Sequence, residues 1–229
     1  MSEPEFDKYS AAYEDLLKDP IRDRFAGGSG FFHTRKRDLI RDYFSASGTD
    51  TRGLRYLDGG CGKGELISLL AGDFAQAAGC DPSSGMLEAA AGVEVRVQED
   101  PARIPFDDRQ FDFVTAVCVY HHVPPGLRAA LTAEIRRLLR PGGEFAIIEH
   151  NPWNPVTRLI VSRTPVDADA ILLRASETCA LLRGAGFSIQ RETYFLYFPE
   201  RLYRVAAALE NLLGRVPLGG QYAVFGRLE

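Results

Sequence analysis

Apolar positions along the chain switch repeatedly between two periods. The run Phe113-Val114-Thr115-Ala116-Val117-Cys118-Val119 is almost unbroken in apolar or β-branched residues, the pattern of a parallel strand covered on both faces. Such runs predict strands at 54–58, 74–80, 93–97, 111–119 and 143–149. Helical periodicity fills the gaps at roughly 64–72, 84–91 and 126–140. Leu66, Ile67, Leu69 and Leu70 share one broad face, and Leu127, Ala130, Leu131, Ile135, Leu138 and Leu139 make another. Arg140-Pro141-Gly142-Gly143 stops the third helix. Strands alternating with helices through short connections imply a parallel sheet with right-handed crossovers.

The two ends depart from this alternation. Near the C-terminus a helix at 175–185 leads through Gly184-Ala185-Gly186 into a strand at 187–197. A helix at 200–213, the turn Pro217-Leu218-Gly219-Gly220 and a last strand at 221–227 follow. At the N-terminus Tyr9, Tyr13, Leu16 and Leu17 recur at helical spacing, and a second helix carries Asp38-Leu39-Ile40 and Tyr43-Phe44. Between them Ala26-Gly27-Gly28-Ser29-Gly30-Phe31-Phe32 reads either as the hinge of a lid or as a loop whose aromatics pack on the core.

The chemistry concentrates at Tyr56-Leu57-Asp58-Gly59-Gly60-Cys61-Gly62-Lys63-Gly64-Glu65. A strand that breaks on glycines into a helix lets the backbone approach a ligand closely. The loop N–H groups and the helix N-terminus would suit a carboxylate or phosphate. Gly60, Gly62 and Gly64 give G-x-G-x-G, and Glu65 stands where a dinucleotide fingerprint has its last glycine. Asp81 closes the second strand in Ala78-Gly79-Cys80-Asp81-Pro82-Ser83-Ser84. An ionised acid there accepts from both hydroxyls of a ribose, as in dehydrogenases, or caps the next helix beside Pro82. A third acidic stretch, Gln98-Glu99-Asp100-Pro101-Ala102-Arg103-Ile104-Pro105-Phe106, precedes Phe111-Asp112.

With Asp58 at its head, the glycine run resembles the first motif of class I S-adenosylmethionine (SAM)-dependent methyltransferases, in a bacterial small-molecule, type 11/12-like subgroup. The second and third acidic positions and Leu139-Arg140-Pro141-Gly142-Gly143 extend the resemblance over about residues 54–149. Asn151-Pro152-Trp153-Asn154-Pro155 and Pro217-Leu218-Gly219 carry it further. The resemblance implies a Rossmann-like α/β fold, a mostly parallel seven-stranded sheet in the order 3-2-1-4-5-7-6. It implies one domain over 1–229, with a helical cap at 1–45 and the core at 46–229. SAM would be the cofactor and S-adenosyl-L-homocysteine (SAH) the product. Asp58 would help hold the ammonium group, and Gly59, Gly60, Gly62 and Gly64 would approach the methionine part and ribose. Asp81, Pro82 and Met86 would border the ribose; Asp100, or Glu99 one position earlier, would accept from the adenine amino group beside Pro101 and Ala102. Val117 and Tyr120 would wall the methionine.

Composition narrows the acceptor. A length of 229 residues fits one α/β domain, and a hydrophobic content of 45% with 25% charged residues is ordinary for a globular protein. A formal net charge of −4 and a pI near 5.7 leave no basic footprint, so a small molecule is expected as partner, not a nucleic acid. No apolar run is long enough to span a membrane, and Met1 to Asp7 is acidic without a leader's apolar core. Cys61, Cys80, Cys118 and Cys179 are scattered without a C-x-x-C pair, as in a reduced, cytoplasmic protein without structural zinc.

Methyl transfer needs alignment above all. His121 and His122 follow the fourth strand at the sheet's carboxyl edge, as candidate base or as pocket wall. Tyr9, Tyr13, Phe32, His33, His150 and Trp153 are candidates for the acceptor side. Adjacent histidines on an extended segment point to opposite sides, so no metal site from His121, His122, His150 and Glu149 is expected. Two other functions compete: a non-catalytic SAM-binding or partner module, and an NAD-dependent oxidoreductase, which Glu65 disfavours.

Overall fold

The computed structural model describes residues 7–90, 92–100 and 102–229. A 3-10 turn at Asp7–Ala12 runs into α1 (Tyr13–Leu16), followed by α2 (Pro20–Phe25) and α3 (Ser29–Ser47). α2 starts where Asp19 accepts the N–H groups of Ile21 and Arg22, with Pro20 at the first helical position. α3 begins directly after Gly28, so Phe31 and Phe32 lie on a helix and not in the expected loop. Its far half supplies the driving force, because Ile40, Tyr43 and Phe44 are buried.

The sheet holds β1 (Arg55–Gly59), β2 (Gln76–Asp81), β3 (Glu94–Val97), β4 (Phe111–Val117), β5 (Leu139–His150), β6 (Phe187–Phe195) and β7 (Gln221–Leu228). Their order is β3-β2-β1-β4-β5-β7-β6. The first five run parallel, and β7 inserts antiparallel between β5 and β6. Helices α4 (Glu65–Leu70), α5 (Ser84–Leu87), α6 (Pro125–Leu138), α7 (Pro155–Val161), α8 (Ala175–Gly184) and α9 (Glu200–Leu213) complete the chain.

Side-chain alternation divides the core. Tyr56, Phe113, Ala146 and Phe225 pack with Ile40 and Phe44 of α3 and Ile67 of α4. Their neighbours Leu57, Val114, Phe145 and Val224 pack on the other face with Ile135 of α6 and Leu182 of α8. Tyr43 lies flat on Phe225 with ring centres 4.0 Å apart, and Phe44 stands edge-on to Phe113 at 4.9 Å. A buried ion pair, Arg35 to Glu210 at 2.6 Å, ties α3 to α9.

Three local features differ from the sequence expectation. α5 is a single turn, since Ala89 and Ala90 bond in tight turns to Met86 and Leu87 instead of continuing the helix. Arg140-Pro141-Gly142-Gly143 ends α6 but itself belongs to β5, with Gly142 at φ 77° and a register shift opposite Phe111 to Phe113. α7 was not expected; Asn154 caps it by accepting from Val156 and Thr157, with Pro155 next in line. Among the described residues no helix is long and apolar enough to cross a membrane.

Candidate active site

β1 delivers Asp58 to the carboxyl edge of the sheet, 2% exposed. Thr115 Oγ1 of β4 donates to its Oδ1 at 2.6 Å, and the Thr115 hydroxyl also meets the Tyr56 hydroxyl at 2.8 Å. Burial pushes Asp58 up to about 7, against the pull of Thr115 and Lys36. The glycine loop follows, with Gly60 at φ 74°; a Cβ there would stand 2.5 Å from Val119 Cγ2. Gly60 and Cys61 donate their N–H groups to Cys80 O, Gly62 donates to Asp81 Oδ2, and Gly64 donates to Cys61 O. These donors are therefore spent on holding the loop. It acts as a cradle by shape, not as the expected anion nest.

Asp81 closes β2, accepting from Ser83 N at 2.9 Å and Gly62 N at 2.9 Å, and burial raises its pKa. The N-terminal segment lies directly over this turn. Asp7 Oδ1 accepts from Ser83 Oγ at 2.5 Å and from Gly85 N at 3.1 Å. Gly85 is required there, since a Cβ would meet Ser10 Oγ at 2.7 Å.

A cavity of about 480 Å³ opens between this cover and the sheet edge. Tyr13, Phe32 and His33 wall it from the cover, and Asp58, Gly60 and Gly62 from the β1 turn. Val117, His121, His122 and His150 form its floor. Other expected site residues stand off this wall. Tyr120 is fully buried in the core, its hydroxyl 2.9 Å from Thr132 Oγ1. Met86 is buried beneath the β2 turn, while Pro82, Asp100 and Ala102 are exposed, Asp100 accepting from Ala102 N. Gly59 and Gly64 are buried in the β1 turn, and Tyr9 lies half-buried beside Lys8. Trp153 is 57% exposed beneath the Arg174 guanidinium. Pro101 lies outside the described residues.

The histidines do not diverge as an extended segment would make them. Tyr120 to Val123 form a turn, with His122 N donating to Val119 O and Val123 N to Tyr120 O. Arg128 Nε holds it by donating to the carbonyls of Tyr120 and Val123. The two rings therefore lie side by side, 4.1 Å between centres. His121 Nδ1 is 2.5 Å from Glu149 Oε2, and both Nε2 atoms approach Asp167 Oδ1, at 3.4 Å from His121 and 3.5 Å from His122. Burial opposes the His121 imidazolium, but Glu149 and Asp167 outweigh it and hold its pKa well above the ordinary value. Burial and the charge of His121 bring His122 down to about 4.

Several lining residues escaped the sequence reading. Lys36 sits on α3 one turn beyond Phe32, in a position that needed the helix start to be known. Cys118 has the left-handed φ of 57° just past β4. Burial works to raise its thiol, yet Lys36 and His150 outweigh it and bring it down to about 7. Asp167, from a 3-10 turn at Pro165–Asp167, carried no sequence signal.

A cavity with a buried carboxylate beside a shaped glycine loop has the charge and shape to take an ammonium group, because burial leaves the Asp58 carboxylate in need of a cation. A family model described as a methyltransferase domain matches residues 57–147. A demethylmenaquinone methyltransferase of Beutenbergia cavernae is 36% identical over 114 residues, 47% of this chain and 46% of the relative. A fatty-acid O-methyltransferase of Mycolicibacterium smegmatis is 38% identical over 125 residues, covering 51% of this chain and 44% of its own. The chain thus spans about half the length of these relatives. The crystal structure of magnesium protoporphyrin IX methyltransferase from Synechocystis with bound SAH superposes with a TM-score of 0.66 at 18% identity, covering 97% of this chain and 98% of that one. The fold is thus the Rossmann-like one that SAM-dependent methyltransferases share. In sequence, the likeness to methyltransferase domains lies in residues 57–147.

Proposed function

We propose that this chain methylates an apolar small molecule carrying a nucleophilic hydroxyl or similar group. The observation that carries the reading is that Asp58 and its glycine cradle open into the same cavity as the paired histidines. SAM, when bound, supplies an electrophilic methyl on a sulfonium and leaves as SAH. Asp58 holds the ammonium, Asp81 the ribose hydroxyls and Asp100 the adenine edge. Val117 and the Gly60 backbone wall the methionine. Leu17, Phe25, Phe32 and Ile160 give the acceptor an apolar bed, in keeping with the quinone, fatty-acid and porphyrin chemistry in the relatives' names.

With SAM held this way, an acceptor lone pair placed in line would form the new bond to the methyl carbon as the carbon–sulfur bond broke, its electrons staying on sulfur. Alignment supplies most of the rate, up to roughly 7–11 kcal/mol in ideal intramolecular cases. His122, neutral in the folded protein, takes the acceptor proton; His121 is engaged with Glu149 and serves to position it. Tyr13, Phe32 and His33 close the site against water as part of a cap over residues 1–45, the core being 46–229. The enzyme works in the cytoplasm, and no nucleic acid takes part.

The test is an acceptor screen with methyl-labelled SAM, read by mass over quinols, phenols and fatty acids. A labelled product from one of these classes, lost in Asp58→Asn, supports the reading. Tight SAH binding without transfer to any acceptor would indicate a binding module. Failure to bind SAH while holding NAD would indicate an oxidoreductase.

A further inference from the structure

We propose that His121, His122 and Asp167 form a binding site for one first-row divalent cation of the zinc class at the acceptor end of the cavity. Nε2 of each histidine and a carboxylate oxygen of Asp167 lie within 4.8 Å of one another. The two nitrogen–oxygen edges are 3.4 and 3.5 Å. Bonds of about 2.1 Å from a tetrahedral ion set edges of roughly 3.4 Å, so both nitrogen–oxygen edges have the length a single ion sets.

A second observation points the same way. His121 is 1% exposed, and its Nε2 has no hydrogen-bond partner among the described residues, its approach to Asp167 lacking the geometry. On the far side of the ring, Nδ1 pairs with Glu149 Oε2 at 2.5 Å, while Glu149 Oε1 accepts from Tyr120 N at 2.7 Å. A carboxylate anchored by the backbone and bonded to the distal ring nitrogen is the arrangement that orients a metal-binding histidine and turns its other nitrogen to the ion. Two imidazoles with one carboxylate select zinc, iron or nickel over magnesium and calcium, which prefer all-oxygen sites. Two carboxylates beside the imidazoles, the buried Glu149 and the largely covered Asp167, also favour a cation there.

His121, His122 and Asp167 all line the cavity, so the remaining coordination positions face the acceptor. An acceptor oxygen held there would lose its proton on coordination, and His122 would act as ligand in place of base. That role rests on the methyl-transfer reading; the binding itself does not.

The experiment uses the full chain, stripped with a chelator and titrated with zinc, and separately with magnesium, by calorimetry. One zinc per chain and no magnesium binding are expected, with cobalt giving visible d–d absorption. Asp167→Asn and His122→Ala should each weaken zinc binding by roughly a hundredfold or more, and Glu149→Gln by about ten- to a hundredfold. His33→Ala, which alters the remaining histidine outside the cluster of His121, His122 and His150, should leave zinc binding unchanged. Thermal melting shows that each variant is folded. Absence of binding, or equal affinity in folded Asp167→Asn and His122→Ala, overturns the proposal. SAH titrated in parallel separates the two readings: SAH binding without zinc sinks only the cation site, and zinc binding without SAH sinks only the methyl-transfer reading.

Discussion

If Asp58 holds the ammonium as proposed, cofactor binding should depend on pH. Its carboxyl is buried and held up to about 7, whereas an exposed aspartate sits at 3.8. Only the ionised form pairs with an ammonium, so SAH affinity should fall tenfold per unit once pH drops well below 7. Between pH 7.5 and 5.5 the ionised fraction falls by about twenty-five-fold for a group near 7, and affinity should follow. Stability runs the other way. The folded pKa exceeds the unfolded one, so the contribution of Asp58 to ligand-free stability is fully present below pH 3.8 and is lost as pH rises through about 7. Three units at about 1.36 kcal/mol each set the upper loss at roughly 4 kcal/mol. Asp58→Asn keeps an oxygen for the Thr115 hydroxyl but carries no charge. At pH 7.5 it should bind SAH roughly ten- to a hundredfold more weakly, the worth of a charged hydrogen bond, with a flatter pH profile. The same variant should be the more stable protein above pH 7 when no ligand is present. Calorimetry from pH 5.5 to 7.5 and urea unfolding at pH 5 and 8 measure both halves. An affinity that ignores pH in the wild-type chain, or an asparagine variant that binds equally well, would refute the role of Asp58.

Three other substitutions test separate parts of the argument. Asp81→Ala should weaken SAH at least tenfold by calorimetry and, because Gly62 N and Ser83 N lose their acceptor, cost about 1–3 kcal/mol in urea unfolding. Gly60→Ala places a Cβ against Val119 at a φ of 74°, so melting should show a loss of about 1–3 kcal/mol together with weaker SAH binding. Glu210→Ala leaves the Arg35 guanidinium buried without its partner and should cost about 3–5 kcal/mol, read by chemical denaturation.

Much of the sheet could be read from periodicity because parallel strands must be apolar on both faces. Phe113-Val114 and Tyr56-Leu57 supply alternate residues to the two halves of the core, and such pairs announce a strand covered on both sides. Helix ends were harder. The glycines around position 28 suggested a loop running through Phe32, yet burial of Ile40, Tyr43 and Phe44 ten residues later extends α3 back to Ser29. Tertiary burial there overrides local propensity. The place of β7 between β5 and β6 had no local signature, since both neighbours are reached through connections of any sequence.

The β1 end of the candidate site was legible because its residues are consecutive: a strand end, its glycines and the acid closing the next strand lie on adjacent turns of one sheet edge. The histidine end was not, because its geometry is made by carbonyls and charges far apart in the chain. His121 and His122 look divergent only while the segment is taken as extended. Arg128, bonded to the carbonyls of Tyr120 and Val123 and to Ile171 O at 2.5 Å, folds it into a turn and ties it to the stretch that brings in Asp167. Ile171 N returns a bond to His121 O at 2.8 Å. One guanidinium thus brings together two imidazoles and a carboxylate separated by some 45 residues, and nothing in the local pattern of either segment records the meeting. The chemistry of this histidine cluster is a property of that crossing, and it follows only once the backbone path is known.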